Sequence, residues 1–155
     1  MGKLSLKNKR VSTTASSRDN EWLLGRLTSI WDTYFSDVFQ VNEVFIGFGR
    51  KSKYRFGSIR LRISDNSTHI TISGMFKDEQ IPVEIVDHTI AHELVHYSHG
   101  FSSLLPRMHE HPHRGGIIDK DLRVRNLGYL IDLYDHWVEE YVESFLKVER
   151  GRGRN

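Results

Sequence analysis

The chain has 155 residues, 38% of them hydrophobic and 27% charged, with a formal net charge of +2 and no cysteine. That length suits one domain with a single modest core. No apolar run approaches the roughly 20 residues of a membrane helix, and the lack of cysteine excludes disulfides, thiolate metal sites and cysteine nucleophiles. The charge is unevenly spread. Residues 1–62 hold 12 Lys and Arg against 5 Asp and Glu, residues 63–149 hold 7 against 15, and Arg150, Arg152 and Arg154 close the chain. A basic first half and tail around an acidic body suit a polyanion, or a solvated surface with two disordered ends.

Residues 1–19 combine a Ser/Thr cluster (Ser12, Thr13, Thr14, Ser16, Ser17) with scattered Lys and Arg and show no hydrophobic period. That predicts a disordered basic arm. The arm has no apolar stretch of the kind a secretory signal needs, and Leu6 stands where myristoylation wants Ser or Thr. The cytoplasm is the expected compartment. From Asn20 the pattern changes. Leu23, Leu24, Leu27, Ile30, Trp31, Tyr34 and Phe35 recur at spacings of three and four, an amphipathic helix that Asp19 or Asn20 can cap.

Past Gln40 the rhythm shortens to two. Val44–Phe48 is apolar and β-prone, Phe56–Ile63 alternates Ile59, Leu61 and Ile63 with polar residues, and His69–Ser73 alternates Ile70 and Ile72. Glycines and the 64–68 stretch supply turns, so a small three-stranded antiparallel sheet is expected. Pro82 then suits a helix start, and the helix runs to about His99, with Gly100 as its C-cap. Residues 101–119 form a His-rich loop. A long amphipathic helix is expected from about Asp121, through Leu127, Leu130, Ile131, Tyr134, Trp137, Tyr141 and Phe145, with Gly128 as a weak point. The order of elements reads as α+β, with domain limits at 20–149 and a disordered tail at 150–155.

His92-Glu93-Leu94-Val95-His96 is an HExxH string in the middle of the predicted 82–99 helix. Residues four apart share a helix face, so both imidazoles can address one metal ion. Glu93 sits about 100° around the helix from His92, beside such an ion rather than on it. There it is placed to act as a general base. Apolar Val86, Ile90, Leu94 and Val95 flank the motif, as a core helix with a polar stripe requires. A catalytic zinc takes three protein ligands and keeps one position open. A metzincin arrangement would need Gly at 99 and His at 102, where this chain has His99 and Ser102. The loop offers His109, Glu110, His111 and His113, and the last helix offers Glu139, Glu140 and Glu143. His113 is favoured because Pro112 and the turn Arg114-Gly115-Gly116 can present its ring. His88 extends the histidine face as a neighbour of the site, His99 suits the helix C-terminus, and His69 and His136 suggest nothing functional.

The chain resembles the SprT-like family of zinc metallopeptidases, which includes the Spartan DNA–protein crosslink proteases. The resemblance runs from about Trp22 to Ile118. It is carried by the 85–97 helix with its HExxH, by Gly57-Ser58-Ile59, by Ile70-Thr71-Ile72-Ser73 as an "I-x-I-S" strand, and by His113. His113 lies 17 residues after His96, in the place of the family's His-Gly-x-x-Phe ligand. Arg114 stands where the family usually has Gly, and Ile117 stands at the Phe position. Many members carry a cysteine zinc ribbon, so the resemblance is to a minimal form. Compact HExxH families of the WLM type share the layout. The resemblance implies that His92, His96 and His113 bind one Zn2+ per chain, that Glu93 is the general base, and that the substrate is a protein or peptide. It also implies that Ile70, Thr71, Ile72 and Ser73 form the edge strand on which an extended substrate adds. Arg50, Lys51, Lys53, Tyr54 and Arg55, within a basic and aromatic stretch reaching Arg62, are the candidate DNA surface. Their other reading is a hairpin with a charged solvent face. A nucleic-acid-binding module with a structural or degenerate zinc site is the rival function.

Overall fold

The structure, a computed structural model, describes residues 2–3 and 17–152. Its class is α+β. In chain order the elements are β1 (Gly2–Lys3), α1 (Asn20–Tyr34), β2 (Val44–Phe48), β3 (Gly57–Arg62), β4 (Ser67–Ile72), α2 (Val83–Ser98), α3 (Ile117–Val124) and α4 (Gly128–Arg152). Asp19 caps α1 by accepting the Trp22 N–H, which satisfies one of the orphan donors of the first turn. The stripe Leu23, Leu27, Ile30 and Trp31 is buried, as the three-and-four spacing requires.

The sheet has the order β1-β2-β4-β3 and is mixed, not purely antiparallel. β3 pairs antiparallel with β4, β4 pairs parallel with β2, and β1 pairs antiparallel with β2. Alternation fixes which face of each strand is apolar but not which strand lies between two others. The 49–56 connection carries the chain past the place that β4 later fills, and the β3–β4 turn at Asn66 (φ 58°) brings β4 back inside. This overturns the expectation for Ile70, Thr71, Ile72 and Ser73. β4 is a central strand with both edges hydrogen-bonded, so no substrate strand can add to it. Ile70 and Ile72 are fully buried, and the Ser73 hydroxyl caps the short 3-10 helix Gly74–Lys77.

Ile46, Ile70 and Ile59 form one row across the sheet, and with α1 and α2 they make the core. Two further expectations need correction. The helix expected from Asp121 is broken into α3 and α4 at Asn126, whose φ is 64°. Arg125 anchors the break by bonding Asp121 Oδ1 at 2.6 Å, Asp37 Oδ1 at 2.6 Å and the Tyr34 carbonyl at 2.9 Å. At the other end, parts of the expected arm belong to the fold. Gly2–Lys3 extends the sheet, and Arg18 is buried and donates to the carbonyls of Phe76 (3.0 Å), Asp78 (2.8 Å) and Ile81 (2.7 Å). Nothing in the sequence marks Arg18, because its partners are backbone oxygens some 60 residues away. Arg18→Ala leaves three carbonyls without this donor and is expected to cost about 2 kcal/mol, read as a lower urea midpoint. Within the expected tail, Arg150–Arg152 continue α4. The rest of the arm and residues 153–155 lie outside the described residues. Among those residues, no helix is long and apolar enough to cross a membrane.

Candidate metal centre

α2 is buried along almost its whole length, between the sheet and the pair α3 and α4. That position carries His92, Glu93 and His96 into the interior while their helix stays fully hydrogen-bonded. After α2 the chain doubles back. Gly100 has φ 77°, and a side chain there would sit 2.2 Å from the Pro106 carbonyl, so only glycine closes this turn. The Phe101 N–H bonds to the His96 carbonyl at 2.9 Å and the Met108 N–H to the His99 carbonyl at 2.8 Å, which ties the returning loop to the end of the helix. His113 follows, and Gly115 and Gly116, with φ of 71° and 67°, turn the chain into α3.

The result is a convergence of three imidazoles. One ring nitrogen from each of His92, His96 and His113 lies within 4.8 Å of the others, a group that could hold a metal ion. The ring centroids are 4.9 Å apart for His92 and His96, 4.5 Å for His96 and His113, and 6.0 Å for His92 and His113. Phe101 backs His96 at 5.3 Å.

Two observations fit a metal to these residues. His96 is 2% exposed, yet its Nδ1 makes no hydrogen bond among the described residues, a costly state for a buried polar atom. Burial also pushes the pKa of His92 down to about 4 and that of His96 to about 3, with the neighbouring imidazoles adding to the effect. Both rings are therefore neutral at physiological pH, the form a metal requires.

The other candidate ligands lie elsewhere. The His109 ring packs on His99 at 4.7 Å, and Arg107 holds the carbonyls of His109 and Glu110. His111 is exposed. Glu140 pairs with His136 and Glu143 with Lys147 along α4, and Glu139 is exposed on the same helix. His99 bonds Asp121 at 2.8 Å and joins α2 to α3. His69 packs against Phe45 and bonds Ser67.

Glu93 is 6% exposed. Burial raises its pKa to about 7, against the opposing pull of Arg55. It lines a cavity of ≈ 290 Å³ together with His92, Gly57, His88 and Tyr134. Gly57, the first residue of β3, lies so close to α2 that a side chain would meet Thr89 Cγ2 at 2.6 Å and Glu93 Oε1 at 3.4 Å. Its missing side chain is what lets β3 border the carboxylate. Arg50, Lys51, Lys53, Tyr54 and Arg55 are exposed on the loop joining β2 to β3, and Tyr54 and Arg55 also line the cavity. Phe56 turns inward onto Phe76 and Trp137. Tyr134 is the residue of this site that sequence reasoning missed, since in the sequence it is only one more position on the apolar stripe of the last helix. No protein-family model, curated protein or solved structure matches this chain.

Proposed function

We propose that the protein is a zinc-dependent, cytoplasmic metallopeptidase of the SprT-like kind. The observation that carries this reading is the convergence of His92, His96 and His113, with His92 lining the same cavity as the buried Glu93 carboxylate. Three histidines and an open side are the donor set of a catalytic rather than a closed structural zinc site. Zinc held there polarises a carbonyl and makes water more acidic. Glu93 is the chain's own proton carrier. With a pKa near neutrality, its carboxylate can take a proton from the attacking water and give it to the departing amine. A pKa placed there lets one carboxylate work in both directions at neutral pH, since neither protonation state is strongly preferred.

The substrate strand falls to β3. It pairs with β4 along one edge, and Gly57 at its start lines the cavity. An extended peptide added to the other edge would lie beside Glu93. DNA enters the proposal through the exposed loop with Arg50, Lys51, Lys53, Tyr54 and Arg55. Tyr54 and Arg55 also line the cavity, so a protein carried on bound DNA would be delivered to the site. That same loop supports the second reading, a nucleic-acid-binding module with a structural zinc. The two separate in one assay, incubation of zinc-loaded protein with casein, with and without single-stranded DNA. The peptidase reading expects casein fragments, more of them with DNA. Zinc-loaded protein that binds DNA in a salt-dependent way and leaves casein intact would be the binding module.

A further inference from the structure

A peptide carbonyl under attack gathers negative charge on its oxygen, and a fixed hydrogen-bond donor in a water-poor site is worth most at that moment. Glu93 accepts protons and cannot serve. Among the donors lining the cavity, the Thr89 hydroxyl is committed to the Ile85 carbonyl at 3.0 Å. Tyr54 is 79% exposed on the loop, and Arg55 is exposed beside it. Tyr134 remains. It is half-buried on α4, and its hydroxyl has no hydrogen bond among the described residues.

The Tyr134 ring is gripped from two sides. It lies flat on the His88 imidazole, with centroids 4.0 Å apart and planes at 16°, and Phe56 meets it edge-on at 6.3 Å. His88 stands one helical turn before His92, with their rings 6.3 Å apart, so the platform under Tyr134 belongs to the helix that carries the metal-binding pair. His88 is 5% exposed and its Nδ1 has no partner among the described residues. A buried polar ring with an unmet hydrogen bond costs stability, and holding a neighbour in place gives such a ring a use.

We propose that the Tyr134 hydroxyl is a catalytic donor of this site, giving a hydrogen bond to the substrate carbonyl oxygen as charge builds on it, and that His88 is the positioning residue that holds its ring. The inference rests on the peptidase reading and adds the donor which that reading lacks. Its protonation is secure, because burial, followed by the charges of Asp135 and Asp119, raises the Tyr134 pKa above its ordinary value. The phenol stays a donor throughout the neutral range.

The test uses zinc-loaded wild type, Tyr134→Phe, His88→Ala and His88→Phe. Casein-peptide kinetics are measured beside calorimetric binding of a phosphinic peptide, a tetrahedral mimic. Tyr134→Phe is expected to keep its zinc, to hold KM within about 3-fold, and to lose about 10²-fold in kcat and a similar factor in phosphinic-peptide affinity. His88→Ala should lose part of both, and His88→Phe, which restores a flat ring, should recover most of that loss. Wild-type kcat and wild-type phosphinic affinity in Tyr134→Phe would overturn the assignment. So would full activity in Tyr134→Phe with a loss in His88→Phe, because the donor would then be His88. Zinc-loaded wild type that neither hydrolyses the peptide nor binds the mimic overturns the peptidase reading itself. Active wild type with an unimpaired Tyr134→Phe overturns this inference alone.

Discussion

Replacing Glu93 with Gln is expected to lower peptide hydrolysis by about 10²–10⁴-fold, the range spanned by a positioned general base, while zinc content stays that of the wild type. Gln keeps the shape and the polarity of the side chain but cannot carry a proton. The same substitution should stabilise the metal-free protein above neutral pH. The folded state raises the Glu93 pKa from 4.5 to about 7, so it binds the proton more tightly than the unfolded chain does. Stability therefore falls as pH rises from 4.5 to 7, and the whole cost is present above pH 7. Gln removes that cost, so a gain of about 1–3 kcal/mol is expected at pH 8 and little at pH 5. Urea unfolding at the two pH values measures it. The buried His88 and His96 and the half-buried His92 act with the opposite sign. Their folded pKa values lie at about 3, 4 and 3, below the ordinary 6.5, so the unfolded chain takes up protons first. The stability they leave intact above pH 6.5 is lost as pH falls toward 4. A Glu93→Gln protein that loses zinc together with activity would make Glu93 a ligand, not a base.

Removing a metal-binding imidazole should have the next largest effect, and His113 is the informative one. His96 is buried, so His96→Ala leaves a cavity and confuses metal loss with damage to the core. His113 is exposed, in a loop, and His113→Ala should leave the metal-free protein within about 0.5 kcal/mol of wild type. With zinc present the two should part. Free zinc at 100 times its dissociation constant stabilises a one-site protein by about 2.7 kcal/mol, and His113→Ala should lose that gain at the same zinc concentration. Thermal unfolding with and without zinc reads the difference. Full zinc retention and an unchanged zinc shift in His113→Ala would move the third ligand to another residue of the loop.

The parts of this molecule that were legible in the sequence are those governed by local periodicity. The stripe Leu23, Leu27, Ile30 and Trp31 announced α1, and the i, i+4 spacing of His92 and His96 announced a shared helix face. The turn residues after His113 pointed to the donor that the fold brings to the pair. Non-local relations were not legible. Whether β4 lies inside the sheet or at its edge depends on how the 49–56 connection crosses, and alternation says nothing of that. The break between α3 and α4 rests on Asn126 in a left-handed conformation and on Arg125 bonded to α1 and Asp37, contacts made across about 90 residues of chain. Tyr134 was hidden for a related reason. Its apolar ring satisfies the helix stripe, and only the packing of α4 on α2 sets that ring on His88, in the wall of the cavity that Glu93 also lines.

The most direct test of the central claim is a zinc titration of metal-free wild-type protein with casein hydrolysis followed at each step. No hydrolysis is expected without metal, followed by a rise in proportion to zinc and a plateau at one zinc per chain. Hydrolysis already present in the metal-free protein, or one tightly bound zinc per chain with casein left whole, would contradict it.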